Sequence, residues 1–425
     1  MSKKIKVQAP KGMHDILPAN QPHWQYLLKT FEEIAFFSGY SRIDTPLIEA
    51  EDLFVRTAGE TSDIVSKEMY YLEKKKDASE RLVLRPEFTA GIARAYVQNG
   101  LKVLPKPIKL YTHGALFRYN KPQAGRVRQL HQLDLEQIGL ESSSADAEVI
   151  SLVWQLFSKL GLKDINLHIN TIGNSSSRKK LVNLLVDYFT PFKNQLCEDC
   201  LQRLKKNPLR ILDCKQKNCQ KIAAEAPQLI DNIDEDAKKH FYELLEYLDE
   251  LDIPYVLDSK LVRGLDYYTK TVFEFISTDD NLTVAAGGRY DDLIGMFGED
   301  PTPAIGVGIG MERVVQKMIT QNISLPTISM VPEVFIIQLG NEAKKKCFKL
   351  LHELRSAGLK VSSSLNKKSI TSQLKSANKC QARFAVIIGQ KEAIDNTIIV
   401  RDMKTGVQDV IDWDYAVQEI KNRLG

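Results

Sequence analysis

The chain has 425 residues, 43% hydrophobic and 26% charged, with 58 Lys/Arg against 54 Asp/Glu. This composition excludes a disordered tail protein, a collagen-like chain and a disulfide-stapled miniprotein, and at roughly 150 residues per domain the length fits two or three domains. The net charge of +4 conceals an asymmetry, because residues 332–425 carry 16 Lys/Arg against 10 Asp/Glu. Such a basic block fits a module that meets a polyanion, and it fits a solvated surface equally well. The opening MSKKIKVQAP has no apolar run and VISLVWQLF (149–157) is too short for a bilayer, so neither a secretory leader nor a membrane association is expected. Six cysteines without an export signal then predict a reducing compartment, the cytoplasm.

In chain order, residues 20–38 read as a helix with Asn20 at the cap, Trp24, Leu27, Leu28, Phe31, Ile34 and Ala35 on one face, and Gly39 closing it. A strand follows and ends at Pro46; 82–85 is strand-like and 87–99 helical. Residues 108–119 and 129–138 form a long hairpin around the basic loop NKPQAGRVR, and 144–160 is helical. Residues 171–254 hold four cysteines and mostly helical patterns, and read as an insertion. A second hairpin joins 270–278 to 282–288, and the glycine-rich AIGVGIG (304–310) enters a helix at Met311. Antiparallel hairpins with helices, without a βαβ series, predict an α+β body over 1–325 and exclude a dinucleotide-binding fold. The stretch TQNISLPTISMVPE marks a boundary. After it, strands at 334–340, 359–365 and 384–389 alternate with helices at 342–357, 369–378 and from Trp413, with a hairpin at 397–411. That pattern predicts a compact α/β domain over 332–425, with Cys347 and Cys380 in its core.

The first chemical signal is in strand 129–138, where alternation puts Leu130, Gln132, Asp134 and Glu136 on one face and His131, Leu133 and Leu135 on the other. That polar row is either a half-solvated sheet face or the floor of a polar cleft. Arg118, Lys121, Arg126 and Arg128 cluster at the tip of the same hairpin, as a phosphate clamp or as a solvated basic turn. LVRGLDYYTKTVFEF (261–275) with AAGGRYDDLIG (285–295) offers an arginine, tyrosines and glycines beside strands, for ligand approach or for a bulge with core tyrosines. The glycines of 304–310 leave room for a flat group against the strand, with Arg313 in the following helical turn able to stack on it. In LRPEFT (84–89), Glu87 near a helix start serves as a cap or receives a ligand ammonium.

These residues resemble the histidyl-tRNA synthetase family of class II aminoacyl-tRNA synthetases. The resemblance runs through KGMHDILP (11–18), TSDIVSKEMY (61–70), LRPEFTAG (84–91), FRYNKPQAGRVRQLHQ (117–132), LVRGLDYY (261–268) and GVGIGMER (306–313). It implies a class II antiparallel sheet with flanking helices over 1–325, a helical insertion at 171–254 and an anticodon-binding domain over 332–425. The implied reaction joins the histidine carboxylate to the α-phosphate of ATP, then transfers histidine to the 3′ end of its tRNA. By this resemblance Arg118 binds the α-phosphate, Arg126 and Arg128 hold the outer phosphates with Mg2+, Arg263 neutralises charge at the reacting phosphoryl, and Arg313 stacks on adenine. Glu87, Thr89 and Gln132 take the α-ammonium of histidine, while Glu136 and Tyr268, next to Tyr267, read the imidazole. Lys121 and Gln123 meet the tRNA acceptor end, and the segment around Tyr40–Pro46 implies a homodimer. Three positions depart from the family: Leu130 replaces a phenylalanine under the adenine, Asn120 a glutamate and Lys121 an arginine.

Cys197-x2-Cys200 and Cys214-x4-Cys219, the second pair wider than the commonest pattern, have spacings compatible with a closed structural zinc site, the alternative being four reduced thiols in a helical insert. The rival function is a silent paralogue, the regulatory subunit of ATP phosphoribosyltransferase. The basic 332–425 block and the retained Arg118, Arg126, Arg263 and Arg313 argue against it.

Overall fold

The computed structural model describes residues 7–425 except 60–61, 74–79, 121–126, 228–229, 327–330, 365 and 367–368, and omits the side chains of 175 and 176. The chain divides into units at Leu325/Pro326. In the first unit, helix Gln21–Phe37 buries Leu27, Phe31, Ile34 and Ala35, the three-and-four spacing of one helical face. Pro22 stands in its first turn, and Asn20 makes no side-chain cap, contrary to expectation. Its backbone is already helical, and a capping side chain needs extended backbone to reach the next amides.

An eight-stranded sheet orders its strands Ser41–Arg42, Ile108–Phe117, Gln129–Ile138, Ala304–Gly310, Thr283–Arg289, Thr269–Ser277, Ile165–Thr171 and Tyr255–Leu257. Only the two edge pairs run parallel. The strand expected to reach Pro46 is the short edge strand Ser41–Arg42. Ile165–Thr171 and Tyr255–Leu257 lie where no strand was expected: one mixes polar residues into its run, the other has three residues.

One face of this sheet is apolar. Leu133, Leu135, Ile305, Val307, Ile309, Phe273 and Phe275 pack there with residues from helices Gln21–Phe37, Ser143–Lys159, Glu235–Glu250 and Met311–Thr320. Period-two alternation therefore sends Gln132, Asp134 and Glu136, with Gly306, Gly308 and Gly310, to the opposite face. A buried charge cluster pins the same core: Arg289 Nε donates to Asp146 Oδ1 at 3.0 Å, and His240 Nε2 lies 2.8 Å from Asp146 Oδ2. Arg289 and Asp146 are fully buried. Although burial alone pushes the other way, the neighbouring guanidinium holds the Asp146 carboxyl below its ordinary range.

Within 171–254 the helices differ in their attachment. Ser175–Phe189, Glu198–Lys206 and Lys217–Ala224 share a core that includes Leu181, Leu185, Phe189, Cys200, Leu204 and Cys219, whereas Glu235–Glu250 buries Phe241, Leu244 and Leu248 in the sheet core.

The second unit holds a five-stranded sheet ordered Val361–Ser363, Val334–Gln338, Phe384–Ile388, Thr397–Asp402 and Gln408–Asp412. Its first three strands are parallel and the last two antiparallel. Cys347 is buried and Cys380 partly so. Helix Gln390–Asp395 was not anticipated, being too short to show a period. Among the described residues no helix is long and apolar enough to cross a membrane.

Candidate active site

The polar face of the sheet opens into a cavity of about 540 Å³ whose wall includes Arg118, Leu130, Gln132, Arg263, Gly308 and Arg313. Three arginines separated by 145 and 50 positions in the chain thus share one wall. Arg118, just past strand Ile108–Phe117, donates from Nε to the Pro86 carbonyl at 2.8 Å. Arg263 pairs with Glu274, and its guanidinium carbon lies 5.5 Å from the Tyr268 ring centre. Arg313, in the first turn of Met311–Thr320, donates to the Thr283 carbonyl. Glu312 accepts from the His131 backbone N–H at 3.0 Å and contacts His131 Nδ1 at 2.8 Å, fixing the start of that helix to strand Gln129–Ile138.

Beside the cavity lies a buried pocket of carboxyls and phenols. Glu136 is fully buried, and its Oε1 accepts from Thr89 Oγ1 at 2.6 Å. Its other oxygen accepts from the Tyr290 hydroxyl. The strand register sets Glu136 opposite Gly306, and a β-carbon there would occupy the space of the Glu136 carboxylate. The Tyr267 and Tyr268 ring centres are 4.7 Å apart, and Tyr267 lies 5.8 Å from Tyr290. Helix Thr89–Gln98 begins two residues later than expected, so Glu87 stands before it and accepts from the Ala90 N–H at 3.0 Å.

Electrostatically, burial outweighs the nearby Arg118 and Arg85 charges at these carboxyls. Burial pushes Glu87 up to about 7, against the Ala90 N–H and Arg118, which favour its charged form. Burial likewise pushes Glu136 up to about 8, against its bonds to Thr89 and Tyr290. Asp134 is held well above the ordinary carboxylate range, by burial and then by the Glu136 and Glu87 charges, against Arg118 and Arg85. Among the described residues, Glu87 Oε2 and Asp134 Oδ1 are buried without a hydrogen-bond partner. Buried carboxyl oxygens without donors are costly, and a cationic ligand would satisfy them.

Of the remaining expected residues, Arg128 stacks on Tyr119, its guanidinium carbon 3.8 Å from the ring centre, and is not in the cavity wall. Lys121, Gln123 and Arg126 lie outside the described residues. Cys197, Cys200, Cys214 and Cys219 come together, with sulfurs all within 4.8 Å of one another. The sequence reading missed Tyr290, Glu274 and Glu312 as site groups. Tyr290 was visible as the last residue of GGRY, but nothing local told a pocket phenol from a core one.

A family model described as histidyl-tRNA synthetase matches residues 12–314, and one described as anticodon binding domain matches 333–423. A histidine–tRNA ligase of Acetivibrio thermocellus is 42% identical over 418 residues, covering 97% of this chain and 99% of the relative. One from Dehalococcoides mccartyi is 42% identical over 419 residues, covering 98% and 100%. The apo histidyl-tRNA synthetase structure of S. aureus superposes with a TM-score of 0.82 at 34% identity, covering 98% and 100%. These matches span both units, and the chain belongs to the histidyl-tRNA synthetase family.

Proposed function

We infer that the chain is a histidine–tRNA ligase: it activates histidine with ATP, releasing pyrophosphate, and transfers the histidyl group to the 3′ end of its tRNA. The observation that carries this reading is the shared cavity of Arg118, Arg263 and Arg313 beside the buried carboxyls around Glu136. The catalysis needed is positioning and charge neutralisation, not covalent participation. Arg118 holds the α-phosphate, Arg263 takes up charge as the histidine carboxylate attacks it, and Arg313 lies over the adenine; Arg126 and Arg128 take the outer phosphates. The cavity carboxyls Glu274 and Glu312 have the hard oxygen chemistry that would hold Mg2+, and the ion would supply charge neutralisation for the outer phosphates.

Glu87, Thr89 and Gln132 receive the α-ammonium, a role supported by the unpartnered Glu87 oxygen. Glu136 and Tyr268, packed by Tyr267, read the imidazole nitrogens. An amino acid lacking those nitrogens would leave buried polar groups unpaired, which supports discrimination of about 10⁴-fold or more. Lys121 and Gln123 meet the acceptor end, and residues 332–425 bind the anticodon. The four cysteines hold zinc in a closed structural site. A second copy of the chain completes a homodimer, supported by the exposed Phe36 and Phe37 at the end of helix Gln21–Phe37. The enzyme works in the cytoplasm, where tRNA is charged.

Histidine-dependent ATP–pyrophosphate exchange tests the reading. Arg263→Ala should lower it by about 10²–10³-fold, as loss of a transition-state donor does. Unchanged exchange would remove Arg263 from the chemistry, and exchange indifferent to histidine would remove the ligase assignment.

A further inference from the structure

The four cysteines sit against the active site. Cys197 caps helix Glu198–Lys206, Cys200 lies in its first turn, Cys214 follows the short helix Pro208–Ile211, and Cys219 lies in Lys217–Ala224. The Cys197 and Cys214 sulfurs are 3.9 Å apart. A tetrahedral zinc with bonds of about 2.3 Å spaces its sulfurs by about 3.8 Å. Two backbone N–H groups already aim at sulfur, Cys197 at Cys219 Sγ (3.3 Å) and Gln216 at Cys214 Sγ (3.5 Å). Three of the four cysteines are buried, so the site would be closed to substrate.

The chain on either side of Cys214 is part of the cavity wall: Arg210, Leu212, Asp213 and Lys215 all line it. Arg210 pairs with Asp63, and its carbonyl accepts from Arg203 at 3.1 Å. The same insert braces the loop that carries Arg263, Tyr267 and Tyr268. Asn207 Nδ2 donates to Asp266 Oδ1 at 2.6 Å. Arg178 Nη1 donates to the Asp266 carbonyl at 2.6 Å and the Tyr268 carbonyl at 3.3 Å. A metal tying Cys197 to Cys219 closes the chain segment that contains Asn207 and Arg210.

We infer that the four-cysteine cluster is a divalent-metal clamp that fixes the 207–215 wall and, through Asn207 and Asp266, the position of the Tyr267–Tyr268 loop. Metal occupancy thereby sets the affinity of the active site for histidine. The inference rests on the ligase reading for its activity readout, while metal content and spectroscopy stand apart from that reading.

The test uses the full chain purified without chelator. Elemental analysis should give about one zinc per chain, lost in Cys200→Ser and Cys214→Ser. Cobalt(II) added to the chelated protein should give thiolate-to-cobalt charge-transfer bands and a tetrahedral d–d spectrum. Chelation should raise the histidine KM by roughly ten- to hundred-fold, restored by zinc, as expected for lost positioning. Asn207→Ala should retain zinc yet reproduce the KM rise. Zinc near zero with no cobalt bands, or thiols recovered as two disulfides in protein kept under reductant, would overturn the site. Zinc bound but a histidine KM indifferent to its removal would overturn the coupling. Zinc and cobalt bands in a protein without histidine-dependent exchange would refute the ligase reading while supporting the site.

Discussion

Glu136→Gln separates recognition from folding. The carboxyl is fully buried and rises from its ordinary 4.5 to about 8, so ionising it in the folded chain costs on the order of 5 kcal/mol more than in water. Below pH 4.5 the group is protonated in both folded and unfolded states and contributes nothing. Between 4.5 and about 8 only the unfolded chain ionises, so each pH unit lowers stability by about 1.4 kcal/mol. The accumulated loss at pH 7.5 is about 4 kcal/mol at most. A glutamine cannot ionise, and the Thr89 and Tyr290 hydroxyls that bond Glu136 can rotate to serve an amide. The variant should therefore unfold at a higher Tm than its parent at pH 7.5, with the difference nearly gone at pH 5. Saturating histidine should narrow that difference, by no more than the binding energy the variant loses. A hydrogen bond to a charged group is worth about 1.5–3 kcal/mol, so the variant should bind histidine roughly ten- to hundred-fold more weakly. Scanning calorimetry at both pH values, with and without histidine, measures both effects. A variant destabilised equally at the two pH values, or one binding histidine as tightly as its parent, would refute the pocket assignment and its electrostatics together.

Tyr290→Phe removes the hydroxyl donor to Glu136 and should raise the histidine KM by about ten-fold while leaving the ATP KM in place; equal changes in both would show a general distortion. Leu130→Phe restores an aromatic surface to the cavity wall and should lower the ATP KM severalfold, since base stacking is worth about 1–3 kcal/mol; an unchanged KM in exchange assays would mean that the adenine does not lie there. Glu274→Gln weakens the hold on Arg263 and the bond from Thr283 Oγ1 at 2.7 Å, so kcat for exchange should fall about ten-fold or more with little change in histidine KM. A kcat equal to the parent's would show that Glu274 does not position the guanidinium.

The hairpins and the polar row of strand Gln129–Ile138 were legible in sequence because period-two alternation and loop composition are local signals. The helix stripe of Leu27, Phe31, Ile34 and Ala35 was legible for the same kind of reason. What local pattern cannot carry is partnership. Glu274 looks like an ordinary outward strand residue until Arg263 meets it, and the Gly306 gap has meaning only opposite Glu136. The arginines were grouped by resemblance to a family, because no spacing rule links positions so far apart. The edge strand Tyr255–Leu257 was lost because three residues define no period.

The Arg289–Asp146–His240 knot has a consequence for inheritance of defects. Arg289 immediately precedes Tyr290, so the anchor of this phenol is a carboxylate on helix Ser143–Lys159, across the sheet from Glu136. Neutralising Asp146 would leave the buried Arg289 guanidinium with Asp291 as its one remaining carboxylate partner among the described residues, and the backbone that relaxes to accommodate it carries the Tyr290 hydroxyl along. A lesion that a survey of stability would file under folding would then surface as an enzyme confused about its amino acid.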